Sequence, residues 1–303
     1  MALAEALAAE QSASLEQAAW RRYVAPTGAL VAACVAAVLV ASTVASGSFD
    51  GELTIAGLGV GFIVGLTGMG GGALMTPILV LLFGVAPLTA VSSDLVVSLV
   101  MKPVGGTVHL RRGTVRRDLV GWLVVASVPA AFAGVLLIKA LGGDDVSHLV
   151  KRALGVTLLL ASSGMLLKMW LQARHPAPAN AFGFTIRPVP TLLIGLIGGL
   201  IVGMTSVGSG SLMIVALMFL YPRLTGAELV GTDLIQAIPL VGSAALGHLL
   251  FGDVHFDVAG SLLLGALPGV YIGARLSSAA PDRLIRPILA LVLVISGWKL
   301  LTG

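Results

Sequence analysis

Residues 61–75 read GFIVGLTGMGGGALM, and residues 199–213 read GLIVGMTSVGSGSLM. Nine of the fifteen paired positions are identical, at an offset of 138. After one inserted residue the match continues at an offset of 139. Asp94 then pairs with Asp233, His109 with His248, Gly113 with Gly252 and Asp118 with Asp257. Over 91–134 against 230–273, twelve of forty-four positions agree, including Pro129 with Pro268 and Gly134 with Gly273. The chain is a duplication, and each copy carries a glycine-rich break inside an apolar run.

Composition fixes the solvent. Apolar residues make up 57% of the chain and charged residues 11%, with a mean hydropathy of +1.03. A soluble domain carries about 25% charge, so these values describe a polytopic helical membrane protein whose first partner is the lipid bilayer. The basic balance does not point to nucleic acid, because the arginines gather in short loops between apolar stretches, where they set orientation. Cys34 is the only cysteine. It excludes an intramolecular disulfide and a cysteine-based metal site, and reads as a packing residue. Neither a cofactor nor a metal is expected. Residues 1–24, with Glu5, Glu10, Glu16, Arg21 and Arg22, lack the charge order of a cleaved signal peptide. They read as an amphipathic tail, with Trp20 and Tyr23 as interfacial anchors.

Apolar runs fall at 26–46, 53–84, 88–110, 119–141, 148–170, 189–221, 227–251, 258–279 and 284–301. Most suit a bilayer span of about 20 residues. The runs 53–84 and 189–221 are too long: a continuous helix of that length would measure about 48 Å. Loop charge decides between a full crossing and a hairpin. If the end bearing Arg21 and Arg22 lies inside, a full crossing by 53–84 would put Arg111, Arg112, Arg116 and Arg117 outside. If 53–84 and 189–221 instead enter and return, that cluster lies inside. Lys168, Arg174, Arg187, Arg275, Arg283 and Arg286 are then also inside. Asp144, Asp145, Asp253 and Asp257 face outside. Only the hairpin reading obeys the positive-inside rule.

The expected fold is therefore an all-α inverted repeat with two glycine-broken, re-entrant segments. The expected units are a tail at 1–24, an extra transmembrane helix at 25–47, repeat 1 at 53–171, a cytoplasmic linker at 172–188 and repeat 2 at 189–301. Duplicated apolar units with broken helices are the pattern of secondary transporters.

Each break starts a half-helix whose free N–H groups and positive dipole end favour an anion. The expected cradle for a small anionic substrate comprises Thr67, Gly68, Gly70, Gly71 and Gly72 from the first break. From the second it takes Thr205, Ser206, Gly208, Ser209, Gly210 and Ser211. The bland reading is that these glycines only let helices pack closely. Lys102, a cation within a span, either attracts the anion or snorkels to the interface. Gln236 either donates to substrate or bonds a neighbouring helix. Asp94, Asp233, His109 and His248 are candidates for proton coupling. Against this, the two aspartates lie near segment starts, where capping is the simpler role, and the histidines can serve as interfacial hydrogen-bonding groups. Asp118 and Asp257 read as first-turn residues that cap or compensate a helix dipole.

These residues carry a resemblance. GLTGMGGGALMTPIL (65–79), with the segment end HLRRGTVRRD (109–118), resembles the TauE/SafE family of sulfite exporters and related anion permeases. GMTSVGSGSLM (203–213) and HLLFGDVHFD (248–257) resemble its second half. The resemblance covers about 53–301. It implies a bacterial inner-membrane secondary transporter, here expected to export sulfite or an organosulfonate such as sulfoacetate. The second copy departs from the pattern: Ser206, Ser209 and Ser211 replace Gly68, Gly71 and Ala73, and Val215 replaces Pro77.

Two other readings compete with it. One is an anion channel with the same cradle. The other is an intramembrane serine hydrolase with Ser209 as nucleophile and His248 as base. The second lacks a carboxylate to orient the histidine, so the chain is not expected to be an enzyme. GxxxG-like spacings allow a homodimer.

Overall fold

The structure is a computed structural model that describes residues 36, 37, 40, 41, 47, 50–67, 71–142, 146–174, 185–252, 254–276 and 282–303. The tail at 1–24, Cys34, most of the first apolar run, Gly68–Gly70, Asp144, Asp145 and Asp253 lie outside the described residues.

The described elements are helices: α1 (Gly51–Thr67), α2 (Gly72–Leu82), α3 (Pro87–Arg112), α4 (Arg117–Gly142), α5 (Val146–Arg174), α6 (Pro188–Thr205), α7 (Leu212–Leu220), α8 (Gly226–Phe251), α9 (Phe256–Leu276) and α10 (Asp282–Thr302). Among the described residues, six helices are long and apolar enough to cross a membrane: α3, α4, α5, α6, α8 and α9. The helix ends follow from local chemistry. Thr225 caps α8, with Glu228 closing a reciprocal capping box. Gly113 ends α3 in the left-handed region at φ 70°. Asp118 and Asp257 sit in the first turns of α4 and α9, as their sequence positions imply.

Both long apolar runs break, and their arms are unequal. The first arms, α1 and α6, have 17 and 18 residues, while α2 and α7 have 11 and 9. At 1.5 Å per residue the first arms rise about 26 Å and the second arms about 13–17 Å. The breaks fall near the middle of each run, between Thr67 and Gly72 in 53–84 and between Thr205 and Leu212 in 189–221. The second run folds back on itself. The Tyr221 hydroxyl, just after α7, accepts from the Arg187 N–H at 2.9 Å and lies 2.6 Å from the Thr191 hydroxyl, both at the start of α6. Met213, near the start of α7, packs on Gly198 in the middle of α6.

The long helices pack across the two copies. α1 runs parallel to α9: Gly57 and Gly61 meet the Leu262 and Ala266 carbonyls, and Gly265, Gly269 and Gly273 meet those of Thr54, Leu58 and Phe62. A Cβ on Gly265 would lie 1.8 Å from the Thr54 oxygen, so the backbones themselves touch. α4 and α6 repeat this arrangement. Gly195, Gly199 and Gly203 of α6 fit against Leu123, Ser127 and Ala131 of α4. Such contact relies on dispersion and small residues, as apolar solvent drives no hydrophobic association.

At the centre, α3 and α8 run antiparallel. Ser92 meets His248, Leu99 packs on Gly242, Gly106 on Ile235, and His109 on Gly231. Met101 and Leu240, equivalent positions in the two copies, fall at the level where these contacts cross over. α5 and α10, also equivalent, pack on each other through Gly155 and Gly297.

Candidate functional site

The two breaks run past each other in opposite directions. Gly72, which closes the first break, abuts Ser206, which opens the second: a Cβ on Gly72 would lie 2.1 Å from the Ser206 carbonyl oxygen. Thr67, which opens the first break, faces Ser209, Gly210 and Ser211, which close the second, across a small cavity. The N-terminal ends of α2 and α7 are both at this crossing. Neither helix start carries a side-chain cap.

The cavity has a volume of about 20 Å³, on the scale of a bound water. Thr67, Ser209 and Ser211 supply its hydroxyls. The Ser211 hydroxyl is buried and has no hydrogen-bond partner among the described residues. Ser209 accepts from the Lys102 ammonium at 2.9 Å. Lys102 is only 6% exposed. It therefore points inward from α3 to the second break, and the snorkelling alternative does not hold. Its helix continues unbroken through Pro103. The Thr67 and Thr205 hydroxyls donate back to the Ile63 and Ile201 carbonyls at 2.8 and 2.7 Å, so both hydroxyls bind their own helices.

Asp94 ties the breaks to α3. Its Oδ2 accepts from the Ser206 hydroxyl at 2.6 Å and from Thr76 at 3.0 Å. Its Oδ1 is buried without a hydrogen-bond partner among the described residues. The capping role open to Asp94 and Asp233 in the sequence fails. α3 starts at Pro87 and α8 at Gly226, so both aspartates lie two turns inside their helices and are buried. Both also act electrostatically on Lys102. The result is a buried cation with a carboxylate on each of the two central helices.

Ser206 pays locally for its place. It is the one non-glycine residue with positive φ among the described residues, at 58°. Its equivalent in the first copy is Gly68. A left-handed residue with a Cβ costs about 1–2 kcal/mol, and the hydroxyl contact with Asp94 offsets this.

The remaining candidates bond to their neighbours. Gln236 donates to Asp233 at 3.0 Å, accepts from Ser127 of α4 at 3.3 Å and lies 2.9 Å from the Met213 sulfur. His248 is fully buried, with Nε2 2.9 Å from the Gly203 carbonyl and Nδ1 2.8 Å from the Ser92 hydroxyl. A carbonyl only accepts, so Nε2 carries a hydrogen, and in the neutral ring Nδ1 then accepts from Ser92. His109 bonds Thr114 at 2.9 Å, at the end of α3 and away from the crossing. With His248 held by Ser92 and Gly203, and Ser209 by Lys102, the Ser209–His248 pair that hydrolysis would need is not formed.

Arg116 pairs with Glu228 at the end of the bundle that also holds Arg187 and Tyr221. The opposite end holds Asp50, whose N–H donates to Ser261, and the Asp257 and His255 side chains.

The sequence profile described as Sulfite exporter TauE/SafE matches residues 53–300. The chain belongs to this family. A Bacillus subtilis protein named "Probable membrane transporter protein YjnA" is 36% identical over 82% of this chain and 99% of its own length. Two more distant relatives carry the same kind of name. The B. subtilis protein YdhB is 24% identical over 80% of this chain and 96% of its own. A Xylella fastidiosa protein is 26% identical over 78% and 88%. No solved structure matches. The chain is a multi-pass membrane protein of a transporter family, and the matched region takes in both breaks and all ten helices described here.

Proposed function

We propose that this protein is a secondary transporter of a small sulfur-containing anion, sulfite or an organosulfonate such as sulfoacetate, which it exports across the bacterial inner membrane by alternating access. The observation that carries the reading is the crossing of two antiparallel breaks beside buried Lys102. It brings Ser209, Ser211 and two uncapped helix starts to one small cavity, with the Lys102 ammonium bonded to Ser209. Dipole ends and neutral donors balance an anion without binding it irreversibly. In this reading the anion takes the Lys102 ammonium from Ser209. Gly68, Gly70 and Gly71 approach it by backbone, and Asp94 and Asp233 carry the coupling charge. His109 and His248 stabilise the ends of the central helices.

Residues 53–171 and 189–301 act as inverted repeats around an axis near Met101 and Leu240, joined by the 172–188 linker. The antiparallel pairing of the equivalent helices α3 and α8 supports this. The return of Tyr221 to Arg187 supports re-entrance of the second run. The arginine-bearing end of the bundle is the cytoplasmic one, which places the N-terminus inside.

Two experiments test the proposal. Counterflow of labelled sulfite and sulfoacetate in proteoliposomes should fall at least about tenfold in Lys102→Ala and Ser209→Ala, the scale of one lost charge-assisted hydrogen bond. Wild-type flux in both variants would remove these residues from the site. In intact cells, an impermeant thiol reagent should label Asp145→Cys and spare Arg112→Cys in a Cys34→Ala background. Labelling at 112 from outside would reject the orientation.

A further inference from the structure

The cavity at the crossing is lined by two unlike sets of residues. Thr67, Ser209 and Ser211 belong to the breaks and bear hydroxyls, and Val64, Met165, Leu289 and Leu293 are apolar. Ser211 is 9% exposed and its hydroxyl is unpartnered among the described residues, so the polar set is built to bind rather than merely closed by packing. The apolar set comes mainly from α5 and α10, an equivalent pair that contributes no residue to either break. Met165, Leu289 and Leu293 are each about 95% buried, yet their side chains end at this cavity.

We infer that Met165, Leu289 and Leu293 determine specificity, by receiving the part of the anion that carries no hydrogen-bonding oxygen. The inference rests on the anion-transport reading and sharpens it. An anion with all its oxygens on one side suits a site whose hydroxyl-bearing residues come from the breaks and whose apolar residues come mainly from α5 and α10. Sulfite is pyramidal, with three oxygens opposite a bare sulfur lone pair. A sulfonate has three oxygens opposite a carbon. Inorganic sulfate is tetrahedral, so one oxygen must turn toward Met165, Leu289 and Leu293, which offer no donor. A buried oxygen left without a partner is costly, and more so when it shares a charge. The wall thus selects against sulfate without touching the oxygens it does accept. Its depth also sets how long a carbon chain the site tolerates, because displaced methylenes have no other room here.

The test uses the full chain in proteoliposomes, with sulfite counterflow competed by methanesulfonate, propanesulfonate and sulfate. Wild type should favour sulfite and methanesulfonate and discriminate against sulfate. Leu293→Ala should improve propanesulfonate relative to sulfite by about tenfold, the lower end for a pocket altered by a few methylenes. Leu293→Ser supplies a donor and should raise sulfate relative to sulfite by a similar factor. Met165→Ala gives a second opening of the same wall if the α10 variants do not assemble. Ratios are read within one variant, so a smaller folded fraction cancels. Ratios within about twofold of wild type in variants that still carry sulfite would overturn the role of the wall and leave the transport reading intact. A wild-type protein that moves none of the sulfur anions would overturn both.

Discussion

The first break brings Gly71 and Gly72 against α3, whereas the second brings Ser206, Ser209 and Ser211 to the same place. The two segments share their chain path and differ in what they present. At Gly72 there is no room for a side chain, because the Ser206 carbonyl occupies the space. At Ser206 a side chain is kept although the backbone is left-handed, because its hydroxyl meets Asp94. Lys102 sharpens the contrast. Its ammonium donates to Ser209, and its equivalent in the second copy is Val241. Duplication supplied a symmetric frame, and later substitution made the chemistry inside it unequal. The glycine copy supplies close approach, and the serine copy supplies donors.

The contrast breaks most sharply at Gly72. Gly72→Ala places a methyl against backbone rather than a movable side-chain tip, which costs on the order of 1–3 kcal/mol or more and separates the breaks. Sulfite flux should be lost, and thermal unfolding in detergent should begin at a clearly lower temperature. At the neighbouring Gly71 a Cβ would meet nothing closer than 3.8 Å among the described residues, so Gly71→Ala should keep its unfolding temperature. Equal behaviour of the two variants would mean that the breaks are not in contact.

A smaller effect separates the paired aspartates. Asp94 accepts from Thr76 in its own copy and from Ser206 in the other, whereas Asp233 receives Gln236 from its own helix. Asp94→Ala strands two buried hydroxyls, a loss of about 1–3 kcal/mol. Gln236 retains Ser127 and Met213 after Asp233→Ala. Asp94→Ala should therefore lower the unfolding temperature more than Asp233→Ala. The reverse order would show that the equivalent positions carry the opposite load.

Much of this was legible in the sequence, for identifiable reasons. The repeat, the breaks and the long helices follow from identity and hydropathy, which are local properties. The serines of the second break and Lys102 stood out because polar groups are expensive in an apolar segment. Asp94 read as a residue near a helix start, although the Pro that heads PLTAVSSD is a first-position signal that sets the start two turns earlier. Gln236 carried two readings that only its neighbours could separate. Met165, Leu289 and Leu293 carried no signal, since one leucine or methionine among many is distinguished only by where its tip ends. The parallel pairing of α1 with α9 and of α6 with α4 was equally silent, because glycine spacing does not name its partner.

That pairing has a consequence for how the protein is made. Among the described residues α1 finds its main partner in α9: the Asp50 N–H bonds a hydroxyl 211 residues further along the chain. The glycine faces of α1 therefore wait, unpaired, while nearly all the rest of the polypeptide is synthesised and inserted. Contacts this distant form late and slowly. Biogenesis thus ends with the enclosure of its earliest break, and a chain truncated before α9 would leave the first half of the cavity open to lipid.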